Sequence, residues 1–320
     1  MTNLLDIVCF GEALVDFFPE RKGIMLREAE RFSRHLGGAP ANVAVGLARL
    51  GLRVGLTTLV GADEFGAFLR DALAREGIDT TSVGTHPTAR TGITFVAVGP
   101  KGERAFTYYR HPSADQMVSE SDVDARLIQG ARVFHHGSSS LAREPSRSAT
   151  LAAIRAAREA GCIVSCDPNL RPHLWSDPAE SIPLAREVLR SAEVVKISDD
   201  ELGALVGTKD VEAGARTLRG WGVGLAVITL GERGCFFDGA SSGTGHIPAV
   251  DVEVVDTTGA GDGFVAGLLA ELVPHFCSGA RPASLGRAVV ESSCAFANRV
   301  AARVVTRFGA TPGLPRRGEV

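Results

Sequence analysis

The 320-residue chain reads as an α/β fold: a mostly parallel central sheet with helices on both faces, and a small extra set of strands. From about Val54, short apolar runs alternate with amphipathic stretches of ten or more residues, the length a parallel crossover needs. Residues 12–35 and 91–110 break that alternation with short, β-rich, partly polar patterns. Hydrophobic residues make up 45% of the chain, enough for a large core. No Pro/Gly/Ser-rich linker divides it and no internal repeat is visible, so one domain over 1–320 is expected.

Met1 to Phe10 reads as a first strand, because no basic region precedes its short apolar stretch as a signal peptide would require. Ala13–Phe18 is a short strand. Pro40 suits the first position of a helix in which Val43, Leu47 and Leu50 follow at helical spacing. Val54–Val60 is a strand, and Asp63–Glu76 a helix with Phe65, Phe68, Leu69 and Leu73 on one face. Thr91–Val98 and Arg104–Arg110 are strands, with Pro100-Lys101-Gly102-Glu103 as the hairpin turn. Later strands fall at Arg132–His136, Ile163–Cys166, Val194–Ile197 and Leu225–Leu230, with helices at 145–160, 178–190 and 210–220. Ser198-Asp199-Asp200-Glu201 is a capping box for a helix Glu201–Val206.

Composition excludes several classes. A formal net charge of -3 offers no field for nucleic acid or an anionic membrane. No apolar run approaches the ~20 residues of a membrane span. The six Cys are scattered, and the one near pair, Cys162 and Cys166, matches no zinc or redox spacing, so reduced thiols in the cytoplasm are expected.

The chemistry concentrates in Asp256-Thr257-Thr258-Gly259-Ala260-Gly261-Asp262-Gly263, which reads as a strand-to-helix junction running into Phe264, Val265, Leu268 and Leu269. The first turn of a helix leaves N–H groups bare and carries partial positive charge, which suits a phosphate. An acid inside that turn would repel a bound phosphate, yet it is well placed to take a proton from an attacking hydroxyl. A first-turn Asp favoured by the helix dipole is the bland alternative, and the Gly-Ala-Gly run before Asp262 argues for catalysis. No Gly-x4-Gly-Lys-Ser/Thr and no G-x-G-x-x-G is present, which sets aside a P-loop NTPase and weakens a dinucleotide-binding reading.

This DTTGAGD stretch, together with Gly37-Gly38-Ala39-Pro40-Ala41-Asn42 and its continuation to Gly51, resembles the two signatures of the PfkB, or ribokinase-like, carbohydrate kinases. The resemblance covers essentially the whole chain. It implies a ribokinase-like fold whose extra strands form a β lid over a sugar, and an enzyme transferring a phosphoryl group from ATP with Mg²⁺. Asp262 would be the base and Gly259, Ala260 and Gly261 the anion hole. Asp16, Gly38 and Asn42 would hold the sugar. Tyr108-Tyr109-Arg110-His111-Pro112-Ser113-Ala114-Asp115 and the DPNLRPHLW run at 167–175 resemble the fructokinase branch, the second being shared with 2-keto-3-deoxygluconate kinases. Arg110 and Arg171 could bind sugar oxygens or phosphate, or be ordinary ion-pair partners.

The resemblance further implies a nucleotide site at Lys196, Ser198, Thr229, Gly231, Gly234 and Asn298, with Glu201 reaching Mg²⁺ through water. A K⁺ ion would lie at Asp256, Thr258, Arg307 and Gly309. Ser198 stands where many relatives carry Asn. The expectation is phosphorylation of a primary hydroxyl, D-fructose to fructose 6-phosphate. Alternatives are a 2-keto-3-deoxygluconate kinase, a kinase for another furanose or nucleoside, or an inactive sugar-binding regulator. The partners expected are a small sugar and ATP, with neither nucleic acid nor membrane, and a homodimer through the lid.

Overall fold

The computed structural model describes residues 5–21, 23–99, 104–110, 112–175 and 177–320. The expected turn at 100–103 and the first four residues of the expected opening strand lie outside them. In chain order the strands are β1 Leu5–Phe10, β2 Leu14–Pro19, β3 Phe32–Gly37, β4 Val54–Gly61, β5 Val83–His86, β6 Ile93–Val98, β7 Arg104–Tyr109, β8 Ala131–His136, β9 Ile163–Cys166, β10 Val194–Ser198, β11 Leu225–Thr229, β12 Cys235–Gly239 and β13 Gly243–Ile247. The α-helices are α1 Ala39–Arg49, α2 Glu64–Arg75, α3 Ala125–Gln129, α4 Ser146–Glu159, α5 Pro178–Arg190, α6 Asp199–Val206, α7 Val211–Gly220, α8 Ala260–Cys277, α9 Arg287–Val305 and α10 Ala310–Gly313.

Among the described residues the strands form two sheets, a nine-stranded one in the order β13-β12-β11-β10-β9-β8-β1-β4-β5 and a four-stranded one in the order β3-β2-β6-β7. Pairing is parallel from β11 through to β5. Alternation along each strand divides the core between the two faces. Ile7 and Cys9 of β1 face one cluster with Leu47 of α1, Leu69 of α2 and Leu268 of α8. Val8 and Phe10 face the other, with Ala153 of α4, Leu189 of α5, Leu202 of α6 and Leu218 of α7. Each fully buried Leu, Val or Phe contributes roughly 1.5–3 kcal/mol. That is why α8, buried over most of its length, can hold its polar first turn in one place.

The small sheet is the expected lid. β2 pairs antiparallel with β3 and parallel with β6, which pairs antiparallel with β7. Its attachment to the main body is built from a helix cap. Asp63 caps α2 by accepting from Gly66 N at 2.8 Å, and also accepts from Thr91 N at 2.9 Å and Thr91 Oγ1 at 2.7 Å, just before β6.

Four expectations need correction. β12 and β13, an antiparallel pair at the sheet edge, went unread because Gly and Asp dilute their apolar pattern. α1 starts at Ala39 with Gly38 as N-cap, which puts Pro40 second rather than first. α6 starts at Asp199, two residues early, since the capping box makes Ser198 the cap. Finally, α8 does not follow a strand: β13 ends at Ile247, and an irregular segment carries the chain to Gly259. No helix among the described residues is long and apolar enough to cross a membrane.

Candidate active site

Open parallel sheets place ligands beyond the carboxyl ends of their strands. Here Glu12 lies just past β1, Asp167 directly follows β9, and Ser198 and Thr229 close β10 and β11. The amino end of α8 comes up to the same edge. Gly259 caps it at φ 79°, a left-handed conformation that favours glycine, and a Cβ there would lie 2.4 Å from Ala310 Cβ. The first intrahelical bond runs from Gly263 N to Gly259 O at 2.8 Å, and Ala260 N closes a turn on Thr257 O at 3.2 Å. The amides of Gly261 and Asp262 therefore precede the helical ladder and are oriented to receive an anion. A Cβ on Gly261 would stand 3.0 Å from Lys196 Nζ, so an ammonium group flanks the same spot.

Asp262 is 7% exposed. Burial raises its carboxyl to about 6, aided by Asp167 and opposed by the bond from Asn42 and by the charges of Lys196 and Arg171. Asn42, buried in α1, donates from Nδ2 to Asp262 Oδ2 at 2.8 Å. Its Oδ1 is buried with no hydrogen-bond partner in the protein. An orphaned buried acceptor is costly, and a ligand hydroxyl would satisfy it.

Two cavities meet at this point. The smaller, about 210 Å³, is lined by Asp16, Asn42, Thr94, Tyr108, Arg110 and Asp262 among others. The larger, about 620 Å³, is lined by Ser198, Glu201, Thr229, Gly231, Gly234 and Asn298 among others. Asn169, Arg171, Lys196, Thr257 and Gly261 line both. The smaller cavity is roofed by the lid, where the rings of Phe106 and Tyr108 stack with centroids 6.0 Å apart.

On the lid side, Asp16 is buried opposite Thr94 in the β2–β6 register. Burial pushes its carboxyl up to about 7, with Asp262 and Glu12 adding to the rise while Arg110 and a Thr94 bond oppose it. Gly37 makes room for this side chain, since a Cβ there would lie 2.0 Å from Asp16 Oδ2. Gly38, at φ 96°, would with a Cβ strike the Glu12 carbonyl oxygen at 2.4 Å. The two glycines let β3 and the amino end of α1 pack closely on the Glu12–Asp16 segment, and Gly38 itself lines the smaller cavity. Arg110 is buried in an ion pair with Asp115, whereas Arg171 is exposed at the junction.

In the larger cavity, Lys196 is buried and its Nζ lies 3.0 Å from Asp167 Oδ2. Burial disfavours its charge, but Asp167 and Glu201 outweigh that and hold its pKa above the ordinary value. Glu201 closes the capping box, its Oε2 accepting from Ser198 N at 2.9 Å and Ser198 Oγ at 2.8 Å, while Oε1 accepts from Leu170 N at 2.7 Å. Asn298 donates through Nδ2 to Ile247 O at 3.2 Å and Pro248 O at 2.9 Å, so its amide nitrogen fixes the loop after β13. Next to the cap of α8, Asp256 joins two distant segments, accepting from Thr258 N at 3.0 Å, Thr258 Oγ1 at 2.8 Å and Gly309 N at 3.0 Å. The Arg307 guanidinium turns to Pro312 O at 3.2 Å.

Sequence reasoning left several lining residues unassigned, among them Glu12, Asp167 and Asn169. Asp167 and Asn169 stood in the DPN run, and Asn169 adopts φ 43°, an unusual value for a non-glycine residue. Glu12 carried a weaker signal, as an acid directly after the glycine that follows β1.

The sequence profile described as "pfkB family carbohydrate kinase" matches residues 4–317. Fructokinase-1 of Oryza sativa subsp. japonica is 41% identical over 317 residues, covering 98% of this chain and 96% of its own. A fructokinase double mutant from Vibrio cholerae O395, solved with fructose, ADP and potassium ion, superposes with a TM-score of 0.87 at 34% identity, covering 99% of this chain and 97% of its own. Aminoimidazole riboside kinase from Salmonella enterica, complexed with aminoimidazole riboside and an ATP analogue, gives 0.82 at 33% identity over 98% of this chain and 97% of its own. Matching signatures, a matching fold and near-complete coverage agree with a buried acid between two cavities: the chain belongs to the pfkB family of carbohydrate kinases.

Proposed function

We propose that this chain transfers the γ-phosphoryl group of ATP to the C6 hydroxyl of D-fructose, giving fructose 6-phosphate and ADP. The observation that carries the reading is the junction of the two cavities at the first turn of α8, with Asp262 buried on the smaller side. The fructokinase relatives support the choice of sugar.

With the sugar in the smaller cavity, Asp16 and Asn42 Oδ1 accept its hydroxyl protons and the lid rings keep water out. Asp262 takes the proton of the primary hydroxyl while that oxygen bonds to the γ-phosphorus. The bond from the γ-phosphorus to its bridging oxygen breaks, and the electron pair leaves on ADP. The Gly261 and Asp262 amides, Lys196 and Arg171 offset the charge in transfer, and Asn42 keeps Asp262 aimed.

Thr229, Gly231, Gly234 and Asn298 would line the rest of the nucleotide site. Among the described residues no cluster of three or more His, Cys, Asp or Glu side chains could hold a metal. Glu201, which lines the larger cavity with both oxygens engaged, would reach Mg²⁺ through water. When bound, it would neutralise phosphate charge. Asp256 ties the Thr258 and Gly309 segments together, so their carbonyls and that of Arg307 would hold K⁺ beside the anion hole.

The enzyme is proposed to work in the cytoplasm, in keeping with six unpaired cysteines, and as a homodimer through the lid. Phe17, Phe95 and Tyr109 pack together on the lid face opposite Asp16, and Tyr109 is 64% exposed. Incubation with Mg-ATP and D-fructose, followed by ³¹P NMR of the product, tests the reaction. A 6-phosphate is expected; a 1-phosphate, or no phosphosugar, contradicts it.

A further inference from the structure

The charged side chains around the smaller cavity do not balance. Lys196 is tied to Asp167. Arg110 is tied to Asp115, whose second oxygen accepts from Ser113 Oγ at 2.6 Å. Among the described residues this leaves Glu12, Asp16 and Asp262 facing the cavity, with Arg171 as the cation outside those pairs, and Arg171 is exposed. Asp16 and Asp262 have tasks in binding and proton transfer. Glu12 has none in the mechanism. Its Oε1 accepts the Ala39 N–H at 3.3 Å, which seats the first turn of α1, and it is buried in the wall of the cavity that Arg110 also lines, where burial raises its carboxyl and the Arg110 charge opposes that rise.

We infer that Glu12 is a specificity residue: together with Asp115 it cancels the charge of Arg110, so the sugar cavity admits neutral polyols and rejects sugar acids and sugar phosphates. A buried guanidinium beside a sugar site would otherwise attract a carboxylate as a planar two-bond partner. Here the guanidinium is paired with Asp115 while Glu12 lines the same small cavity, and an anionic ligand would meet like charge in a nearly dry site. A polyol meets only acceptors for its hydroxyl protons. Discrimination thus comes from a repulsive element as much as from an attractive one. The inference rests on the reading of the smaller cavity as the sugar site.

The test compares D-fructose with 2-keto-3-deoxygluconate, a neutral and an anionic six-carbon keto sugar. Calorimetric affinities with a non-hydrolysable ATP analogue and kcat/KM with ATP are measured for wild type, Glu12→Gln and Asp115→Asn. Wild type should bind fructose at least about tenfold more tightly, because a buried like charge is costly. Glu12→Gln keeps an acceptor for Ala39 N–H, and should narrow that ratio at least about tenfold, chiefly by tightening the acid sugar. Asp115→Asn should shift it the same way. Equal weakening of both sugars would overturn the inference, since Glu12 would then merely seat α1. Wild type binding the acid sugar as tightly as fructose would also overturn it, with no variant needed. Preserved discrimination in binding without fructose turnover would sustain the inference and sink the proposed reaction, so the two failures read differently.

Discussion

Asp262 meets two opposed demands: its buried position disfavours its charge, and the role proposed for it needs that charge. With burial raising its carboxyl to about 6, it is mostly ionised at neutral pH and still basic enough to take a proton. Asp262→Asn should lower kcat by roughly 10²–10⁴-fold with little change in nucleotide affinity, measured by steady-state kinetics and nucleotide titration. In the proposed mechanism both Asp262 and Asp16 act as carboxylates, so kcat/KM should fall as pH drops through the window set by about 6 and about 7. The same shift has a stability consequence. A folded-state value above the unfolded one contributes stability that is present below the ordinary carboxyl value of 3.8 and lost as pH rises through about 6. The Tm of Asp262→Asn relative to wild type should therefore increase between pH 5 and pH 8, and a constant difference would refute the assigned cost. Asp16→Ala should remove about 1.5–3 kcal/mol of sugar recognition, raising the sugar KM far more than the ATP KM. Unchanged values for both would mean that Asp16 does not touch the sugar. At this scale, what a residue does with its near neighbours was readable from the sequence. The Ser198–Glu201 capping box spans three residues and formed as expected. Pairings made across the fold left no local pattern: Asn42 meets Asp262 across 220 positions, and Asp256 meets Gly309 across 53, two residues that only the family resemblance had grouped.

Among the elements, the loop before α8 and the C-terminal segment work as one unit. Gly259 abuts Ala310, Asp256 holds Gly309, and Thr311 Oγ1 donates to Leu36 O of the lid strand β3 at 2.9 Å. Gly259→Ala would face both the left-handed backbone and the Ala310 contact, so it should lower kcat and Tm together. Adding Ala310→Gly relieves the contact but not the backbone strain, and should restore part of each; no recovery would mean the contact is unimportant. The alternating helices and strands were readable because their apolar periods are strong, and the lid could be located by its broken pattern. The β12–β13 pair and the absence of a strand before α8 were not, because a short Gly-rich edge strand and an irregular loop differ little in sequence. For the lid, light scattering coupled to size-exclusion chromatography should give a dimer, and Tyr109→Glu should shift it toward monomer. A monomer at every concentration would remove the lid interface.

For the molecule as a whole, the sheet edge brings segments from both ends of the chain to one junction, with the proposed donor site on one side and the proposed acceptor site on the other. The two signatures pointed to that junction from sequence. The charge balance of the smaller cavity did not show, because Glu12 comes to the same cavity as Arg110 only when the chain folds. That balance predicts kcat/KM for D-fructose at least about tenfold above that for 2-keto-3-deoxygluconate, a gap of roughly 1.4 kcal/mol in transition-state binding. The most direct test of the central claim is coupled ADP release with Mg-ATP and K⁺ across a sugar panel, run side by side for wild type and Asp262→Asn. The account predicts fructose-dependent ADP release by wild type, fastest with fructose in the panel and nearly abolished in the variant. Equal rates in the two proteins, or no sugar that stimulates release, would contradict it.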